Sequence, residues 1–387
     1  LEFHAAISDL DSTQQALNSV LTQLHSASGR VDVAWVFFTA DHARQKRLIV
    51  ERLRKEMGEA IIVGCAGEGV IGGTREIERR PGIAVLAGGM PDAQVHPFHI
   101  PRDDWRELLH DPDAFTQRLG INEQTRGIIG FGDPWTTPLN QFLEMLDACV
   151  PQAPLVGGLA SAARAPGQNV LLCNDEIYND GFTGVTLGGA LEVQTVVSQG
   201  ARPIGSPMVI TKGHDNVIEQ LGGRAPMTML REIFMQLPER DRDLLRHGLL
   251  IGRVISEYQE TFSRGDFLVR NITGADEESG SMSLTDYVKV GQTVQFHVRD
   301  EASADEDLRL LLASATMQSM PAAALLFSCN GRGSRMFGLP NHDIAVANHL
   351  MPDVPVAGFF AAGEIGPVGR KNFIHGHTAS FALLRGC

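Results

Sequence analysis

Close to its C-terminus the chain writes Cys329-Asn330-Gly331-Arg332-Gly333 directly after the apolar run PAAALLFS. A glycine-rich loop leaving a strand offers backbone N–H groups. Together with one guanidinium it can hold a carboxylate or a phosphate. A structural ion pair between Arg332 and an acidic side chain is the competing reading of the same residue. Further on, Gly363-Glu364-Ile365-Gly366 echoes Gly67-Glu68-Gly69, which follows Cys65. Glycines let the backbone turn tightly and approach a ligand, and a lone carboxylate accepts from an amine or an amide. The bland alternative is a turn whose glutamate caps nearby amides. Glu364 or Glu68 as acceptor, with Arg332 as donor, suits an amino-acid-like ligand or a small carboxylate. His375 and His377 form H-x-H on what reads as the last strand, so both rings share one face. Two such imidazoles bind a metal only if a third ligand such as Glu364 converges. No H-E-x-x-H or cysteine cluster accompanies them, so they read as pocket wall or core, and no metal or other cofactor is expected. Cys65 and Cys329, at strand ends near glycines, leave open a Cys/His nucleophile pair for amide or ester chemistry. Against that enzyme, no G-x-S-x-G elbow, no Walker loop and no G-x-G-x-x-G opening a helix occurs.

These residues sit in a sequence that repeats itself. VDVAWVFFTA, ARQKRLIVERLRKEM, AIIVGCAGEGVIGG and PGIAVLAGG form the first copy. TRGIIGFGDP, LNQFLEMLDACV, APLVGGLAS and GFTGVTLGGALEVQTVV form the second. PAAALLFSCNGRG, NHDIAVANHLM, VPVAGFFAAGEIGP and HGHTASFALL form the third. Each reads strand, helix, strand ending in glycines, strand, at roughly 60 residues per copy. The second copy breaks the Gly-Glu pattern, with Ala160 where a glutamate is expected. The turn-rich string SQGARPIGSP near Ser198 to Pro207 marks a boundary. Beyond it Met227 to Leu237 reads as a helix, and GDFLVRNI and GQTVQFHVRD read as strands. Asp305 to Met320 reads as a second helix with Leu308, Leu311, Leu312 and Ala315 inward. The expectation is an α/β fold of repeated βαββ-like units in two halves, residues 1–200 and 201–387. The second half would pair a divergent copy with the third, and the whole would layer as helix, sheet, sheet, helix.

Composition bounds the partners. The 387 residues carry a formal charge of −13, with 43% hydrophobic and 20% charged residues. Both nucleic acid and anionic membranes reward clustered Lys and Arg, so neither is expected as a partner. No apolar run reaches the roughly 18 residues that span a bilayer, so no membrane insertion is expected. The start, Leu1-Glu2-Phe3-His4, shows no basic or hydrophobic leader. Five cysteines (Cys65, Cys149, Cys173, Cys329 and Cys387) without a C-x-x-C pair fit a reducing, cytoplasmic setting.

The chain resembles the FIST family, with an N-terminal and a C-terminal FIST domain. VGCAGEGVIGG, VGGLAS with GFTGVTLGG, VKVGQTVQFHVRD, LLFSCNGRG and VAGFFAAGEIGPVGRKNFIHGHTASFALL carry the resemblance. It implies a sensory module that binds a small ligand such as an amino acid or related metabolite, and a signalling protein partner that receives the output. The glycine turns are then the expected pocket, lined by Glu364, Arg332, Asn330 and His377, with Glu68, Cys65, Cys329 and His375. A ligand-free protein-interaction scaffold and a Cys/His hydrolase are the alternatives.

Overall fold

The computed structural model describes residues 1–25, 29–258, 261–262 and 264–386, so Cys387 lies outside the described residues. The chain separates into two compact units. One holds Leu1–Ser198, Leu308–Ile374 and Thr378–Cys387; the other holds Gln199–Asp307 with His375–His377.

In the first unit each sequence copy builds the same local unit. An opening strand, a helix and a second strand parallel to the first are Val33–Thr39, Lys46–Met57 and Ile61–Gly67 in copy one. Their counterparts are Thr125–Gly132, Leu139–Cys149 and Leu155–Leu159 in copy two. In copy three they are Ala323–Cys329, His342–Leu350 and Val356–Ala361. A return strand then pairs antiparallel with the opening strand: Ile83–Gly89, Phe182–Gly189 and Thr378–Gly386 respectively.

Between second and return strand each copy sends out a hairpin, and that hairpin joins another copy's sheet. The hairpin of copy one pairs Ile71 with Gly358 of copy three. That of copy two pairs Leu172 with Gly64 of copy one, and that of copy three pairs Ile365 with Gly157 of copy two. The exchange is cyclic and yields three six-stranded sheets. Each hairpin also covers a sheet edge that would otherwise stand open. The register defines equivalent positions across copies: Gly64, Gly157 and Gly358 lie opposite Val36, Gly130 and Leu326. A Cβ on these glycines would fall 1.8, 1.8 and 1.7 Å from the facing carbonyl oxygens, so no side chain fits.

One residue further along each opening strand are Phe37, Phe131 and Phe327, which meet in a shared core. Their ring centroids lie 5.3, 6.2 and 5.8 Å apart, within the range for edge-to-face aromatic packing. All three sheets contribute to this core, and the helices cover their outer faces. The expected two-sheet layering is therefore replaced by three sheets around one centre. The reason is that each copy has too few strands to close its own sheet and borrows from its neighbours.

Among its described residues the second unit holds no fourth copy. Its strands Ala201–His214, Val217–Leu221, Met282–Leu284, Phe267–Ala275, Leu249–Val254 and Thr293–Arg299 close into a barrel in that order. Every strand pair in it is antiparallel, so the parallel strand–helix–strand unit that defines a copy is missing. Val294, Phe296 and Val298 enter the barrel core, as their alternation predicts. The helix Pro226–Gln236 matches its expected place, as does Glu301–Thr316, although Leu311 of the latter is exposed rather than inward. No helix among the described residues is long and apolar enough to cross a membrane.

Candidate functional site

At the ends of the opening strands stand three equivalent residues, Thr39, Asp133 (one past its strand) and Cys329, and their surroundings differ sharply. Thr39 Oγ1 accepts from the Gly82 N–H at 3.0 Å. Asp133, fully buried, accepts from the Thr136 hydroxyl at 2.7 Å, the Asn169 amide at 2.8 Å and the Trp135 N–H at 3.2 Å. Both ends are closed by neighbours from their own surroundings. Cys329 is partly exposed, and its Sγ accepts from the Gly331 N–H at 3.4 Å.

A second inequivalence lies on the hairpins. Glu364 stands opposite Gly158, the position that Val70 takes opposite Phe359 and Leu171 takes opposite Cys65. Val70 and Leu171 belong to the apolar core, so the third hairpin inserts a carboxyl where the others insert a hydrocarbon. Glu364 is fully buried, and its Oε2 accepts from the Thr378 N–H at 3.2 Å. Burial pushes its carboxyl well above the usual range, against the opposing pull of Thr378, Cys329 and Arg332. That burial favours the protonated form, which can donate as well as accept. Its Oε1 has no partner.

Arg332 is also fully buried. Its Nε and Nη2 donate to the two Asp343 oxygens at 2.8 and 2.7 Å, a bidentate pair. The Phe337 ring lies over the guanidinium at 5.3 Å, Ser328 donates to Asp343 at 2.8 Å, and His342 Nδ1 reaches Asp343 at 3.0 Å. Burial alone would raise the Asp343 carboxyl, but the Arg332 charge and its hydrogen bonds hold it well below the usual range. The ion-pair reading of Arg332 is thus realised for two of its nitrogens, while Nη1 remains unpartnered. Behind Asp343 sits buried Glu76, whose Oε1 accepts from the Ile344 N–H at 3.0 Å. Burial first, then the Asp343 charge, pushes Glu76 up to about 8.

Asn330 completes the group. Its N–H is anchored to Ala361 O at 3.0 Å, and its Oδ1 is buried without a partner. Arg335 donates to Asn330 O at 2.8 Å and pairs with Glu68, so this exposed ion pair roofs the loop. Glu68, Gly69, Glu78, Asn330, Arg335 and Phe360 help line a cleft there that encloses only about 10 Å³. Ligand pockets usually enclose ~300–1,000 Å³, so with the Arg335–Glu68 pair closed this cleft has room for about one water-sized group and no more.

Of the residues singled out by sequence, Cys329, Asn330, Arg332, Glu364 and Glu68 thus come together. Cys65 sits in the central core instead of on a turn, with burial pushing its thiol well up. His375 ends one strand and His377 lies in the turn after it at φ 60°, so the shared-face geometry of H-x-H does not arise. Both belong to the second unit, where His377 Nε2 meets Asn271 Oδ1 at 3.0 Å. Register also corrects the Gly-Glu echo. Glu68 is equivalent to Ser161 and Ala362, not to Glu364 or Ala160, and the Ser161 hydroxyl accepts the Glu68 N–H at 2.8 Å. Asp343, Glu76 and Arg335 carry no sequence signal beyond being charged residues near glycine turns.

Comparison with known proteins divides the chain within the second unit. The FIST N domain matches residues 32–224 and the FIST C domain matches residues 226–367. The uncharacterized protein Rv0628c of Mycobacterium tuberculosis (strain ATCC 25618 / H37Rv) is 38% identical over 364 residues, covering 92% of each chain. The uncharacterized protein Mb0898c of Mycobacterium bovis (strain ATCC BAA-935 / AF2122/97) is 40% identical over 326 residues, covering 84% of this chain and 82% of that one. A solved structure titled "Cyanuric acid hydrolase: evolutionary innovation by structural concatenation" aligns over 100% of this chain and 99% of that one. Its identity is 7% and its TM-score 0.33. The profile matches and the relatives agree with the motifs read from the sequence, and the chain belongs to the FIST family.

Proposed function

We propose that this protein is a sensory protein that binds a small polar metabolite at the end of the third copy and relays its occupancy to a signalling partner in the cytoplasm. The observation that carries the reading is a set of three buried, unpartnered polar atoms: Asn330 Oδ1 and Arg332 Nη1 on the loop after Cys329, and Glu364 Oε1 on the third hairpin. A buried polar atom left unpaired costs about 1–3 kcal/mol, so a ligand that pairs all three recovers that cost on binding. Arg332 Nη1 asks for an acceptor oxygen, Asn330 Oδ1 asks for a donor, and Glu364 in its protonated form serves either. An amino-acid-like molecule or a small carboxylate bearing an N–H or O–H group meets these demands. Because the closed cleft is small, entry requires the Arg335–Glu68 pair to part, and the loop from Cys329 to Gly338 is the element whose pose a partner would read.

The test is a thermal-shift screen of the purified chain against amino acids, small carboxylates and small amides. A ligand at 100 times its Kd adds about 2.7 kcal/mol of stability. The expected result is a hit in one of these classes that is lost in Asn330→Leu and in Glu364→Leu. The second change gives the third hairpin the kind of residue the other two already have. Silence across the screen, or a shift that survives both substitutions, would exclude this site and favour a scaffold.

A further inference from the structure

Cys329 has an environment that neither equivalent position shares. It is partly exposed at the end of its strand, and the Gly331 N–H points at its sulfur from 3.4 Å. The Glu364 carboxyl shares a hydrogen bond with it, and the charges of Arg332 and Arg335 reach it. Beside it, Arg332 Nη1 and Glu364 Oε1 are buried and unpartnered. The corresponding strand ends carry Thr39 and Asp133, and the residues corresponding to Glu364 are Val70 and Leu171, which have no proton to give. A sulfur nucleophile, an acid and a spare guanidinium N–H therefore occur together in the third copy alone of the three.

We propose that Cys329 is a peroxide-reactive thiol, with Glu364 as the acid that protonates the leaving oxygen and Arg332 Nη1 as the donor that holds the peroxide. Thiolates, not thiols, attack peroxides, and N–H groups and guanidinium charge around a sulfur favour that form. In the step, the thiol proton passes to solvent and the thiolate sulfur bonds to the terminal oxygen of a hydroperoxide. The O–O bond breaks, and its electron pair leaves on the other oxygen, which takes the Glu364 proton and departs as an alcohol, or as water from hydrogen peroxide. Sulfur is oxidised by two electrons to the sulfenic acid, the peroxide is reduced, and solvent returns a proton to Glu364. Two small thiols reverse the change, one displacing water to give a mixed disulfide and the second releasing Cys329 with formation of their own disulfide.

Metabolite binding and thiol reactivity are separable readings of the same loop, and the experiment addresses only the second. The full chain is exposed to hydrogen peroxide with a dione that traps sulfenic acid, and peptides are quantified by mass spectrometry. Cys149 and Cys173, both also partly exposed, are internal controls on the same molecule. Cys329 should be labelled at least about tenfold faster than either. Glu364→Gln should slow Cys329 by about 100-fold while leaving the two controls unchanged, as loss of a general acid predicts. Labelling of Cys329 no faster than Cys149 and Cys173 in the wild-type chain would overturn the proposal, and that comparison needs no variant to fold. An unchanged Cys329 rate in a folded Glu364→Gln chain would remove Glu364 from the step.

Discussion

Asp343→Ala should lower the unfolding free energy of the first unit by about 3–5 kcal/mol, because it leaves the Arg332 charge buried and unpaired. Arg332 is fully enclosed and gives Asp343 two of its nitrogens at 2.8 and 2.7 Å. Ser328 and His342 lose their acceptor in the same change. Removing both charges is a different matter, since the desolvation cost of the pair disappears with its attraction. The double variant Arg332→Met with Asp343→Leu should therefore be much closer to wild type than Asp343→Ala is. Urea unfolding followed by tryptophan fluorescence measures this cleanly, because Trp35, Trp105 and Trp135 all lie in the first unit. Equal losses in the single and double variants would mean that the ion pair is not what this loop depends on.

Glu76→Gln should stabilise the same unit, and only above acidic pH. The folded carboxyl titrates at about 8 against an ordinary 4.5. Below pH 4.5 folded and unfolded chains both hold the proton, so the group contributes no difference. As pH rises from 4.5 toward 8 the unfolded chain releases a proton that the folded chain keeps, and stability falls by roughly 1.4 kcal/mol per pH unit. The variant removes that loss, retains an oxygen for the Ile344 N–H, and turns an amide N–H toward Asp343. At pH 8 it should exceed wild type by on the order of 3–5 kcal/mol, and at pH 4 the two should coincide. Glu364 acts in the same direction, and His42, His99 and His297, held below the usual imidazole range mainly by desolvation, act oppositely; all remain in both chains, so the difference between the two curves isolates Glu76. Asp343 acts oppositely: its contribution is present above its ordinary carboxylate range and is lost as pH falls below it. Unfolding curves for both chains that stay parallel from pH 4 to 8 would show that Glu76 is not held neutral.

The three copies were legible because each spells strand, helix and strand contiguously, and the local apolar spacing is enough to specify them. The exchange of hairpins was not, since Ile71 pairing with Gly358 or Leu172 with Gly64 depends on closure in three dimensions and leaves no trace in local spacing. The same gap explains the mistaken echo. Aligning Gly-Glu with Gly-Glu by eye shifts the third copy by two residues, whereas register sets Glu364 against Val70 and Leu171 and makes it a buried exception. Arg332, Asn330 and Cys329 stood out because they follow a strand end in a glycine loop. Glu76 was hidden because its partner Ile344 is 268 residues away. The barrel escaped because its strands are irregular, with register shifts in Ala201–His214 that blur the period-two pattern.

A crystal structure of the chain with the strongest hit from the screen tests the central claim most directly. Density is expected at the third copy's loop, with a ligand oxygen about 3 Å from Arg332 Nη1 and polar contacts to Asn330 and Glu364. A ligand seated in the barrel or on another loop, with Arg332 Nη1 still unpaired, would contradict it.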